Sequence, residues 1–104
     1  MKRIILAAFA MIAVLGLLGD HRQHKLQATF DSVALGTYPP ELVGRLGTPW
    51  KIAGCGQSFG GDSVLGCANE VLYASPFAPV SPEYWGFQFS SDDRLIGKYR
   101  YISP

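Results

Sequence analysis

Gly36-Thr37-Tyr38-Pro39-Pro40-Glu41-Leu42-Val43-Gly44-Arg45-Leu46-Gly47-Thr48-Pro49 reads as a short helix with both of its ends written into the sequence. Gly36 accepts the positive φ of a tight turn, and the two prolines pre-set φ for a first helical turn whose amides have no intrahelical partner anyway. Gly47 followed by Pro49 stops the helix. Leu42, Val43 and Leu46 are expected on its inward side, with Glu41 in the first turn, where a negative charge suits the helix dipole. Tyr38 stands at the cap without a short side-chain acceptor, at a cost of about 1 kcal/mol.

Upstream, His21 to Leu35 contains neither proline nor glycine, and Leu26, Phe30, Val33 and Leu35 fall near a helical stripe. Downstream, Trp50-Lys51-Ile52-Ala53 predicts a short strand, and Gly54 to Gly66 is a glycine-rich loop. Three further strands follow, over Glu70 to Ala74, Glu83 to Ser90 and Arg94 to Ile102, separated by the proline-marked run Pro76 to Pro82 and by Ser91-Asp92-Asp93. Trp85, Phe87 and Phe89 alternate with Gly86, Gln88 and Ser90, while Leu95, Tyr99 and Tyr101 alternate with Arg94, Lys98 and Arg100. One sheet face is therefore expected to be apolar and the other wet. Two helices upstream are the available cover, so the expected fold is α+β: two helices on one face of a three-stranded antiparallel sheet, in the order α-α-β-β-β.

Residues 1–20 form a signal peptide or membrane anchor, leaving 21–104 as one α+β domain. Met1-Lys2-Arg3 is basic, and Ile4 to Gly19 carries no charged or strongly polar residue. As a helix this run reaches roughly 24 Å, short of the ~30 Å hydrocarbon core, so cleavage and anchoring both stay open. Val14-Leu15-Gly16 offers a weak cleavage site. Lys2 and Arg3 on one side match Arg22 and Lys25 on the other, so charge does not set the orientation.

Gly36, Leu46, Gly47, Thr48 and Pro49 match in register the signature of the BamE-like (SmpA/OmlA) family of small bacterial envelope proteins, which this chain resembles from about Phe30 to Tyr101. Phe89-Ser90-Ser91-Asp92-Asp93-Arg94-Leu95 is similar to that family's final hairpin. The resemblance implies two helices on a three-stranded sheet and an accessory role in outer-membrane assembly, and related domains serve as scaffolds or inhibitors. Family members are commonly lipoproteins. Here Leu17-Leu18-Gly19 is followed by Asp20 rather than the cysteine that acylation needs.

Beyond Gly19 there are seven basic residues against eight acidic ones, so no basic face exists to neutralise phosphates and nucleic acid is not an expected partner. Cys55 and Cys67 bracket the glycine-rich loop and are expected to bond in an oxidising compartment, stabilising the domain by on the order of 3 kcal/mol. A metal site would need further ligands, and His21 and His24 lie far away in sequence; no metal or cofactor is expected. Those histidines, at i and i+3 beside the apolar leader, are out of reach of any core nucleophile. Asp92-Asp93 suits a turn rather than acid/base chemistry. Gly54 to Gly61 lacks the Gly-Lys-Ser/Thr of a phosphate loop.

Aromatics off the core face, namely Tyr38, Phe59, Phe77 and Tyr84, are the candidate protein-binding residues. The chain is therefore expected to be a non-enzymatic interaction module of the cell envelope, an accessory subunit or scaffold with a protein partner. It is expected in the periplasm, anchored to the inner membrane through its uncleaved apolar segment or released after cleavage. The alternative is a secreted or periplasmic inhibitor-type binding protein.

Overall fold

The computed structural model describes residues 2–59 and 63–102. The chain runs α1 (Lys2–Ser32), α2 (Pro39–Leu46), β1 (Lys51–Ala53), β2 (Cys67–Ala74), β3 (Glu83–Ser90) and β4 (Leu95–Ile102). The class is α+β, and the sheet is an antiparallel meander of order β1-β2-β3-β4. It has four strands, not three. Lys51, Ile52 and Ala53 pair with Leu72, Val71 and Glu70, and the Trp50 amide extends the ladder to the Leu72 carbonyl at 2.8 Å. The short strand joins the sheet because β2 would otherwise leave a row of amides and carbonyls open at its edge.

α1 is one helix across the Gly19/Asp20 boundary: the apolar leader and the first domain helix are continuous. Its apolar amino-terminal part stands out from the domain, with Ile4 75 % exposed, and the helix is long and apolar enough to cross a membrane. Its carboxyl-terminal part lies on the sheet, burying Leu26 and Thr29, with Val33 following just past the helix end. Leu35 is exposed because the helix has already ended at Ser32 and the helical period no longer applies. The Lys98 ammonium crosses from β4 to donate to the Phe30 carbonyl, with the Val33 carbonyl 3.4 Å away, and so satisfies orphan acceptors at the end of α1.

α2 begins at Tyr38, whose side chain makes no cap bond, and closes at Gly47, where φ is +81°. Leu42 and Leu46 enter the core beside Trp85 and Phe87; Val43 does not, because it sits about 100° around the helix from Leu42 and faces solvent. The corner after α2 is held from two sides. The Arg22 guanidinium donates to the Leu46 carbonyl at 2.6 Å, and the Tyr73 hydroxyl to the Gly47 carbonyl at 2.8 Å.

The helix-side face of the sheet carries Val71, Tyr73, Trp85, Phe87, Phe89 and Leu95, all buried. Polar side chains on α1 are built into this contact. The Trp85 indole donates to Gln27 at 2.9 Å, and Ser75 donates to Gln23 at 2.8 Å.

β4 departs from simple alternation. Phe89 pairs with Leu95 but Gln88 pairs with Gly97, so Ile96 is an extra residue and the strand changes face there. Lys98 and Arg100 consequently lie on the helix side, across from Phe87 and Trp85, whereas Tyr99 and Tyr101 lie opposite Leu95's face.

The second face is not wet either: Glu70, Leu72, Gly86 and Gln88 on it are buried. The Tyr99 ring covers Gly86, and the loop between β1 and β2 covers Glu70 and Gln88. Its ends are joined by the Cys55–Cys67 disulfide, with Cα atoms 6.2 Å apart. The Gly56 amide donates to the Glu70 carboxylate, and the Val64 amide donates to Gln88 Oε1 at 3.1 Å. A sheet sandwiched between helices and a stapled loop is how a chain with so few residues removes both faces from water.

Candidate interaction face

Four aromatic rings cross the loop-covered face near the open ends of β3 and β4. The Trp50 indole meets Tyr84 at a centroid separation of 4.9 Å, and Tyr84 meets Phe59 at 4.9 Å. Phe59 in turn stacks on Tyr101 at 4.2 Å with the planes 12° apart. Tyr84 and Tyr101 are cross-strand partners, so register alone places them side by side. Opposite Tyr84 on β2 stands the small side chain of Ala74, which leaves the Trp50 ring free to approach. The row is apolar in its faces and polar at its hydroxyl and indole tips, and Trp50 remains 54 % exposed.

Of the four aromatics singled out in the sequence, Phe59 and Tyr84 belong to this row. Tyr38 and Phe77 do not. Tyr38, at the start of α2, lies under the Arg94 guanidinium, 4.5 Å from its ring centroid. Phe77 packs against Gly19 of α1, so close that a Cβ at Gly19 would stand 2.8 Å from its ring. The structure thus divides the candidates among three places. Trp50 and Tyr101 complete the row and were missed. Tyr101 was expected on the same face as Leu95, and the extra residue at Ile96 turns it to the other; Trp50 was expected as the first residue of a strand that begins one residue later, at Lys51.

Beneath the loop lies a buried polar cluster. The Tyr99 hydroxyl and the Gly56 amide both donate to the Glu70 carboxylate, which has no exposed surface. Burial, then the bond and charge of Glu70, push the Tyr99 hydroxyl far above the usual phenol range. The Tyr99 ring covers Gly86 closely enough to exclude any side chain there. This cluster ties the loop to the sheet at Gly56.

On the helix side, Glu83 is paired with Arg100, and Gln23 Nε2 lies 3.4 Å from the same carboxylate. The adjoining recess, about 160 Å³, has Trp85 and His24 in its wall. His24 is solvent-exposed and 3.5 Å from Asp20 one helical turn earlier. Among the described residues no group of three or more His, Cys, Asp or Glu side chains converges as a metal site would require. Asp92 and Asp93 form the β3–β4 turn: Ser90 donates to the Asp92 carboxylate, which lowers its pKa, and Asp93 takes φ +60°. Compared with protein-family models, curated protein sequences and solved structures, the chain matches none of them.

Proposed function

We propose that the chain is a non-enzymatic binding module of a bacterial cell envelope, held at the membrane by α1 and docking a protein partner on the aromatic row. The observation that carries this reading is the Trp50–Tyr84–Phe59–Tyr101 row itself. Tyr and Trp offer large contact area at low cost in side-chain entropy, and partly exposed clusters of them are the usual anchors of protein interfaces. The disulfide that closes the covering loop suits an oxidising compartment, and the continuous α1 suits an uncleaved anchor. The Gly36 and Leu46-Gly47-Thr48-Pro49 motif, similar to that of BamE-like proteins, favours an accessory or scaffolding role in an envelope complex.

The test is site-specific photocrosslinking of the full chain in intact envelopes. A photoreactive residue at Tyr84 is expected to trap a discrete partner, and one at Val43, exposed on α2, is not. Trp50→Ala combined with Tyr84→Ala should weaken affinity for that partner at least about tenfold. Equal trapping at both positions, or unchanged affinity of the double variant, overturns the assignment.

A further inference from the structure

The connection between β2 and β3 is Ser75-Pro76-Phe77-Ala78-Pro79-Val80-Ser81-Pro82, eight residues without a charge. Its Pro76 and Phe77 lie against α1 at the domain-side end of the helix's uncharged run. Phe77 rests on Gly19, the last residue of the uncharged run, and with Pro76 it forms one wall of a groove. Ile12, Leu15, Gly16 and Leu18 form the other wall, which ends on the domain side at Arg22, whose guanidinium is engaged with the Leu46 carbonyl. The groove is open and about 610 Å³ in volume. Its wall on α1 descends from Gly19 to Ile12, seven residues or roughly 10 Å along the helix axis. Val80, farther along the same loop, is 91 % exposed. Because α1 is unbroken from Lys2 to Ser32, the loop's depth relative to the apolar segment is fixed by the fold.

We propose that this loop is a second lipid contact, inserting Phe77 and Val80 into the bilayer interface beside α1. The inference rests on α1 being retained as a membrane anchor. Two observations select lipid as the occupant. The groove is continuous with the apolar surface of α1, so immersing Ile4 to Gly19 brings the loop to the interface with it. The apolar run of α1 also falls short of the hydrocarbon thickness, and a membrane accommodates such a deficit by local thinning or by apolar groups flanking the helix. Phe77 and Val80 are such groups, and apolar side chains of this kind bury favourably at the boundary between headgroups and acyl chains. Two points of attachment restrict the tilt of the domain and hold the opposite end of the sheet, at the Ser90–Arg94 turn, away from the surface.

The experiment reconstitutes the full, disulfide-bonded chain in vesicles of phosphatidylcholine and phosphatidylglycerol. Spin labels are placed one at a time at Leu15→Cys, Val80→Cys and Ser91→Cys, and relaxation by oxygen is compared with relaxation by a water-soluble nickel chelate. Leu15 should prefer oxygen strongly, Ser91 nickel, and Val80 should fall between them on the oxygen side. Adding Phe77→Asp should move Val80 to the aqueous value while Leu15 stays unchanged. If Leu15 is immersed and Val80 is aqueous, the loop contact is overturned and the anchor stands. A Val80 label shielded from both reagents overturns it too, because a protein surface such as a second copy then covers the loop. An aqueous Leu15 overturns the anchor, and the loop contact with it.

Discussion

The Tyr73 hydroxyl reaches from β2 to the carbonyl of Gly47, the residue that ends α2, and donates to it at 2.8 Å. Arg22 meets the adjacent Leu46 carbonyl from α1. The carbonyls left over at the helix end are thereby satisfied by the two elements that α2 must contact. The corner is specified by tertiary hydrogen bonds as much as by its glycine.

Tyr73→Phe keeps the ring in the core and removes that one donor, so it isolates the clamp. Losing the bond is expected to destabilise the domain by about 1–2 kcal/mol. Thermal unfolding should register this as a midpoint lowered by roughly 4–8 °C for each kcal/mol. Gly47→Ala should be at least as costly, because φ there is +81°, a region that disfavours a side chain.

Tyr99 and Tyr73 make stability depend on alkaline pH. Burial and the bond to Glu70 raise Tyr99, and burial raises Tyr73 against the opposing charge of Arg22. A phenol whose folded pKa lies above its unfolded value of about 10 contributes stability that is complete below pH 10 and lost as pH rises beyond it. Urea midpoints should therefore be flat from pH 8 to about 9.5 and fall above it. Tyr99→Phe should lower the plateau, because Glu70 loses a donor while buried, and should make the fall shallower.

Reduction of Cys55–Cys67 should cost on the order of 3 kcal/mol by the loop-closure estimate. Its second effect is local. With the loop released, Glu70 and Gln88 lose their loop partners while the helix-side core stays packed. Hydrogen exchange on the reduced chain should show lost protection in residues 54–59 and in β1, before β3 is affected.

Much of this architecture is legible along the chain, and the failures have physical causes. The span of α2 follows from Gly36, the two prolines and Gly47, since each restricts the backbone locally, and the strands are legible as runs between turn signals, with period two clearest in β3. Val43 could not be placed without knowing which of two adjacent apolar residues α2 would turn toward Trp85. The faces of Tyr99 and Tyr101 depend on one extra residue at Ile96, and a bulge leaves no mark in an apolar alternation. Cover for the second face comes from a loop whose composition signals flexibility. It is ordered by Glu70, Gln88 and a disulfide, which are contacts distant in sequence. The aromatic row was half visible: Phe59 and Tyr84 stand out as aromatics off the core face, whereas Tyr101 reaches the row only through the bulge at Ile96, and Trp50 only through the fold that brings it beside Tyr84.

Glycine substitutions at two positions should move stability in opposite directions. At Gly86 the Tyr99 ring occupies the space of a side chain, and Tyr99 cannot withdraw without abandoning Glu70. Gly86→Ala should therefore cost about 1–3 kcal/mol through overpacking and a disturbed buried bond. At Gly44, within α2, nothing lies within 4 Å of an added Cβ, and φ is not positive. Gly44→Ala should stabilise the domain by about 0.5–1 kcal/mol, because alanine loses less backbone freedom in a helix. Urea unfolding of both variants checks the pair. Similar shifts in the same direction would mean that the Tyr99 ring does not press on Gly86, and that the loop side of the sheet is looser than its buried carboxylate indicates.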